Sequence, residues 1–218
     1  MLVTYEDIRK DESIKCYITE ADKVLLAMGY TEHSFPHVVK TATMAEMILL
    51  TLNYPKRTAE LAKIAGYMHD IGNIVNRIDH AQSGAVMAFR LLDRMGMEPE
   101  EIAQVISAIG NHDEGTAAAV NPIAAALILA DKTDVRRTRV RNQDFPSFDI
   151  HDRVNYAVTE AKLKVNEEKK VITLNLKIDE NICSMLEYFE IFLQRMLMCR
   201  RACEMLGAKF KMTANGSK

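Results

Sequence analysis

Apolar residues recur at helical spacing through the first two thirds of the chain. Val38, Val39, Ala42, Ala45, Ile48, Leu49 and Leu52 form one such stripe, and Ser34 followed by Pro36 marks the start of its helix. Upstream, Thr19 with Asp22 three residues later reads as a capping box, opening a helix that ends near Gly29. Downstream, Pro55 separates off a helix through Leu61, Ile64, Ala65 and Met68 to Gly72. A short loop, Asn73 to Asp79, leads to a helix from about His80 to Met95, stopped by Gly96. Glu98-Pro99-Glu100-Glu101 is an acidic helix start, and Ile102, Val105, Ile106 and Ile109 carry that helix to His112. Asn121-Pro122 opens a further helix with Ile123, Leu127 and Ile128 inward, reaching Asp131 and beyond. Six or so helices with short links predict an all-α bundle over residues 1–141.

The period then changes. Residues 142–149, Asn-Gln-Asp-Phe-Pro-Ser-Phe-Asp, read as a linker. Strict alternation over Ala161–Val165 and Val171–Ile178, on either side of Asn-Glu-Glu-Lys-Lys, predicts a β-hairpin. A helix from about Asn181 to Leu206 follows, and Gly207 to Met212 is a candidate third strand. Residues 142–218 therefore form a small α+β appendage on a mainly α body. The apolar face of the hairpin (Leu163, Val165, Ile172, Leu174, Leu176, Ile178) suits three uses: covering the body, binding a ligand, or making a homodimer contact.

Composition narrows the classes. An apolar fraction of 48% over 218 residues supplies a full core without any Trp. The 28 basic and 30 acidic residues leave a net charge of −2, so no overall field draws nucleic acid or membrane. No apolar run approaches the roughly 20 residues of a spanning helix. The first residues have no basic region followed by an apolar one, and the four Cys (Cys16, Cys183, Cys199, Cys203) show no CxxC pairing, so a cytoplasmic protein with reduced thiols is expected. Cys199 and Cys203, one helical turn apart among Met196, Leu197 and Met198, read as core.

Three His-Asp pairs occur: His69-Asp70, His112-Asp113 and His151-Asp152. The first stands out by its company, since His37, His80, His112 and Asp131 each lie near the start or end of an expected helix. Neighbours on a helix project about 100° apart, so His69 and Asp70 reach one cavity only from a helix end, which Gly72 supplies. Asp131 follows Ala-Leu-Ile-Leu-Ala, where an unpaired carboxylate would be costly. Imidazoles and carboxylates converging from separate elements are a metal-ligand set. Just beyond, Lys132, Arg136, Arg137, Arg139 and Arg141 form a basic cluster. Such runs are ordinarily a solvated face; the functional reading makes Lys132 and Arg137 contacts to a substrate phosphate, with Asp134 as an outer partner of the ligands. His33 lies close to His37, but His37 begins the apolar stripe and takes the ligand assignment. His151-Asp152 reads as a helix start capped by Asp149.

The order His37 … His69-Asp70 … Asp131 resembles the HD-domain superfamily of metal-dependent phosphohydrolases. His37-Val-Val-Lys-Thr-Ala is similar to its first-histidine helix, Ala65-Gly-Tyr-Met-His-Asp-Ile-Gly to its central motif, and Ala130-Asp131-Lys-Thr-Asp134 to its closing aspartate motif. His80-Ala-Gln-Ser-Gly84-Ala and Ala108-Ile-Gly-Asn-His112 resemble the two extra histidine motifs of the binuclear branches, which include symmetrical dinucleoside tetraphosphatases and the HD-GYP cyclic-dinucleotide phosphodiesterases. The resemblance covers roughly residues 33–141. It implies an HD-type helical bundle and two divalent transition-metal ions, Fe first, with Mn, Co or Ni as alternatives. One ion would be held by His37, His69, Asp70 and Asp131, the other by Asp70 as a bridge with His80 and His112. The implied activity is hydrolysis of a phosphoester or phosphoanhydride of a phosphorylated small molecule, a nucleotide, by a hydroxide that bridges the metals, with Asp70 fixing it. The chain departs from the pattern at Asn73, where many relatives carry Lys, and at Asp113-Glu-Gly-Thr, where HD-GYP proteins carry Gly-Tyr-Pro. The second departure points away from that subgroup and from cyclic di-GMP. Two other readings compete: a nucleotide-sensing module with little turnover, favoured by Asn73, and an oxygenase-type diiron enzyme of the same superfamily.

Overall fold

A computed structural model describes residues 2–115, 118–142 and 148–216. Nine α-helices, two short 3₁₀ turns (Ile71–Ile74 and Arg137–Arg139) and one three-stranded sheet make up the regular structure among these residues: α1 (Tyr5–Lys10), α2 (Glu12–Ala27), α3 (Phe35–Thr51), α4 (Lys56–Met68), α5 (His80–Arg94), α6 (Pro99–Gly110), α7 (Pro122–Lys132), α8 (Ile150–Ala157), β1 (Val158–Asn166), β2 (Val171–Ile178), α9 (Met185–Met205) and β3 (Lys209–Ala214). The mainly helical body with a small C-terminal sheet agrees with the expected fold class. The linker expected at 142–149 lies largely outside the described residues.

Local chemistry sets most helix starts. Thr4 and Asp7 form a reciprocal capping box for α1, Asp11 caps α2 by accepting from Ile14 N, and Asn121 caps α7 by accepting from Ala124 N. The capping box expected at Thr19 is not formed. Thr19 sits inside α2 and its hydroxyl donates to Lys15 O at 2.9 Å, while Asp11 supplies the cap eight residues earlier. Asp22 instead accepts from His33 N at 2.9 Å and pairs with Arg141, tying the start of the α3 segment to the region after α7.

α7 organises the body. Every residue from Ile123 to Ala130 is buried, so this helix is apolar on all sides and packs against α3, α4, α6 and α9. α3 and α4 meet so closely at Ala42 that a Cβ on Gly66 would lie 2.8 Å from Ala42 Cα. That contact brings His37 of α3 and His69, just after α4, to a ring separation of 5.2 Å.

Gly72 has a different role from the helix stop expected of it. α4 ends at Met68, and Ile71–Ile74 form a turn of 3₁₀-helix. A Cβ on Gly72 would lie 2.0 Å from His80 O and 2.4 Å from Gly84 N. Only a residue without a side chain lets the start of α5 rest on this turn, and the start of α5 carries His80.

The hairpin forms as expected, with Leu163 opposite Leu174 and an irregularity between Val158 and Glu160. The third strand is Lys209–Ala214 and runs parallel to β2 on the side away from β1, because α9 carries the chain back to the end of the sheet where β2 starts. Of the three uses open to the hairpin's apolar face, packing is the one taken by β2. Ile172, Leu174, Leu176 and Ile178 are buried in one cluster with Tyr188, Phe192, Met196 and Cys199 of α9. No helix among the described residues is long and apolar enough to cross a membrane.

Gly72→Ala is expected to cost about 3 kcal/mol or more through backbone collision, lowering the melting temperature by roughly 6–12 °C. Gly115→Ala, whose Cβ would meet nothing within 4 Å, is the control and shifts melting by no more than about 2 °C.

Candidate metal centre

Four histidines and two aspartates from five elements converge at the helix ends. His37 comes from the first turn of α3, His69 and Asp70 from the end of α4, His80 from the first residue of α5, His112 from just beyond α6, and Asp131 from the last turn of α7. The four imidazoles are at most 1% exposed and Asp70 is 5% exposed.

Each imidazole has its Nδ1 side occupied. His37 Nδ1 lies 2.8 Å from Asp134 Oδ2, His69 Nδ1 2.9 Å from Gly66 O, His80 Nδ1 3.0 Å from Arg77 O, and His112 Nδ1 2.6 Å from Ile109 O. All four partners are acceptors, so each Nδ1 carries its hydrogen and each Nε2 offers a lone pair. The Nε2 atoms then point at Asp70 in pairs. Oδ2 lies 3.6 Å from His37 Nε2 and 3.0 Å from His69 Nε2, while Oδ1 lies 3.6 Å from His80 Nε2 and 4.0 Å from His112 Nε2. Asp131 Oδ1 closes the first group, 3.3 Å from His37 Nε2 and 3.7 Å from His69 Nε2.

These spacings fit shared ions. Ligands about 2.1 Å from one cation stand about 3 Å apart at the right angles of an octahedral site. Atoms of His37, His69 and Asp70, of Asp70, His80 and His112, and of His69, His112 and Asp131 lie within 4.8 Å of one another. His37 Nε2, His69 Nε2 and Asp70 Oδ2 are buried with no hydrogen-bond partner, a costly arrangement that a cation relieves. All six sequence-assigned ligands are therefore brought together. His33 is not in any of these groups; its Nδ1 meets Thr31 O at 2.7 Å and its ring packs edgewise 5.4 Å from His37.

The charge balance points the same way. Burial would raise the pKa values of Asp70 and Asp131, yet the neighbouring imidazoles, and for Asp131 first of all Lys132, hold both well below the usual carboxylate range. Burial disfavours a charged His69, but Asp70 and Asp131 outweigh it and raise its pKa to about 10. Burial, with His69 and Lys132 adding to it, takes His112 down to about 3. The cluster thus keeps its carboxylates ionised and draws positive charge to itself.

The basic cluster after Asp131 separates into distinct roles. Lys132 Nζ sits 2.8 Å from Asp131 Oδ2 and 3.9 Å from both Asp113 and Glu114. Arg137, assigned to the substrate phosphate from sequence, does not line the cavity. Its Nε donates to Tyr156 O at 2.6 Å and its guanidinium lies 4.5 Å over the Tyr156 ring, so it anchors α8. Arg136 pairs with Asp134 at 2.8 Å, and buried Arg139 donates to Glu32 O and Asp134 O. Asp134 gathers His37, Lys40 and Arg136 on one buried carboxylate.

A cavity of about 570 Å³ opens over the cluster. Its lining includes residues that sequence reasoning passed over: Tyr30, Arg77, Asn155 of α8 and Arg195 of α9. His151 and Asp152 also line it while forming the expected start of α8, with Asp149 as cap. For Arg195 no local signal exists, because α9 reaches the cavity only through tertiary packing, where it pairs with Glu114.

Comparison with known proteins agrees with this geometry. The family model for the HD domain matches residues 35–138, a span that contains all six clustered histidines and aspartates, from His37 to Asp131. The uncharacterized protein MJ1020 of Methanocaldococcus jannaschii is similar to this chain, 24% identical over 191 residues that cover 77% of this chain and 73% of that protein.

Asp134→Asn keeps the shape but weakens the acceptor that orients His37. Metal affinity, measured by competition with a chromogenic chelator, is expected to fall at least about tenfold. Unchanged affinity would mean that Asp134 serves the fold alone.

Proposed function

We propose that this protein is a metal-dependent phosphohydrolase that cleaves a phosphoester or phosphoanhydride bond of a nucleotide-like small molecule. One observation carries the reading: four buried imidazoles, each with its Nδ1–H engaged, turn their Nε2 lone pairs in two pairs toward the two oxygens of Asp70. Packing gives no reason for such convergence, and the HD-domain match supports hydrolytic chemistry for it.

In this reading His37, His69, Asp70 and Asp131 would hold one divalent ion, and Asp70, His80 and His112 would hold a second. Imidazole and carboxylate ligands without thiolate suit Fe, Mn, Co or Ni. When bound, two such ions supply Lewis acidity toward a phosphate oxygen and lower the pKa of a water. Asp70 fixes the spacing of the two halves. Lys132, 6% exposed beside Asp131, offers positive charge to an incoming phosphate. The cavity volume suits a mononucleotide-sized ligand.

The sensing alternative draws support from Asn73. Its amide is fully buried and donates to Asp70 Oδ1 at 3.0 Å, so position 73 gives the substrate no cation.

Protein purified without chelator is expected to carry about two transition-metal ions per chain by elemental mass spectrometry, and to release phosphate from one or more members of a nucleotide panel. Asp70→Ala should lose both metal and at least about a thousandfold in rate. Lys132→Ala should retain metal and lose roughly ten- to a hundredfold in kcat. Phosphate release by Asp70→Ala at the wild-type rate would sink the proposal. Tight nucleotide binding with no product over hours would favour the sensor, and oxygen uptake without phosphate release the diiron oxygenase.

A further inference from the structure

The two halves of the centre differ in what already meets them. On the His37 side, His37 Nε2, His69 Nε2 and Asp70 Oδ2 are buried with no hydrogen-bond partner and face one another and Asp131. On the other side, Asp70 Oδ1 accepts from the Asn73 amide at 3.0 Å, and His80 Nε2 accepts from Arg77 Nη1 at 3.3 Å. His80 Nε2 and His112 Nε2 also face each other at 3.3 Å. Both rings donate through Nδ1 to backbone carbonyls, so this is an approach of two lone pairs and calls for positive charge beside it. The guanidinium of Arg77 is that charge.

Arg77 is held lightly for a half-buried arginine. Its Nη1 has two neutral acceptors at 3.3 Å, Asn73 Oδ1 and His80 Nε2, and its guanidinium lies 5.6 Å from the Tyr30 ring centre. Among the described residues no carboxylate comes within 4 Å of it, whereas Arg195 pairs with Glu114 and Arg139 donates to two backbone carbonyls. An arginine without a carboxylate partner, on the wall of the cavity over the ligand cluster, is free to give its N–H pair to phosphate.

We propose that Arg77 is a displaceable resident cation, which occupies the His80–His112 half until a divalent ion takes that place and then turns its guanidinium into the cavity to grip the substrate phosphate. This rests on the two-ion reading of the centre given above. Two consequences follow from displacement. The His37 half binds its ion more tightly than the His80 half, and phosphate and the second ion strengthen each other's binding by one common factor.

Chelator-stripped protein titrated with Mn²⁺ by calorimetry, with and without inorganic phosphate, tests this in wild type, Arg77→Ala and Arg77→Lys. Wild type should bind one Mn²⁺ tightly and a second at least about tenfold more weakly, with phosphate improving the second step. Arg77→Ala should tighten the second step about tenfold, leave the first unchanged and shrink the phosphate effect to the part that the ions and Lys132 supply. Arg77→Lys, which keeps the charge but not the planar N–H pair, should fall between the two. Two equal steps in wild type, or a second step in Arg77→Ala that is unchanged or weaker, would overturn the role of Arg77 and leave the two-ion hydrolase standing. Failure of wild type to bind any Mn²⁺ would overturn both.

Discussion

Asp70 places a negative charge, 5% exposed, where five helical elements meet, and much of the surrounding structure answers to it. An isolated buried carboxylate is expensive enough that it ordinarily protonates. Here burial pushes in that direction and is overcome by imidazoles on both sides. The consequence is a centre that needs positive charge. The guanidinium of Arg77 supplies part of that charge on the His80–His112 half.

Backbone closeness makes this convergence mechanically possible. Ala42 against Gly66 brings α3 onto α4, and Gly72 against His80 and Gly84 seats α5 on the turn after α4. In both places a missing Cβ sets the distance between two ligand-bearing elements. The apolar residues of α7 give Asp131 a rigid position at the end of a helix buried on every side. Orientation is handled separately from position: Asp134, Gly66, Arg77 and Ile109 each fix one imidazole through Nδ1. A ligand set held at both levels changes little when an ion enters, which is the condition for tight binding.

Arg137 and Arg77 show how far a linear reading reaches. Both are cations near ligands in the chain, yet Arg137 turns toward Tyr156 while Arg77, three residues before His80, faces the cavity. A charge run states that solvent or a partner is needed and leaves the partner unnamed. The same holds for Thr19 and Asp22, whose spacing satisfies the capping-box pattern inside an uninterrupted helix. Sequence spacing records which bonds are available locally; which are made depends on competing partners brought in from elsewhere.

The chain by itself determined the helical body, the hairpin, the starts of most helices and which six histidines and aspartates lie at helix ends. These rest on periodicity, caps and residue chemistry, all of which act within a few residues. Tertiary structure decided the rest. It paired β3 parallel to β2 through α9, made Gly72 a contact surface instead of a helix stop, divided the ligands between the two oxygens of Asp70, and brought Arg77, Asn155 and Arg195 to one cavity. Those features depend on distances between residues far apart in sequence, and such distances are set only when the whole core packs at once.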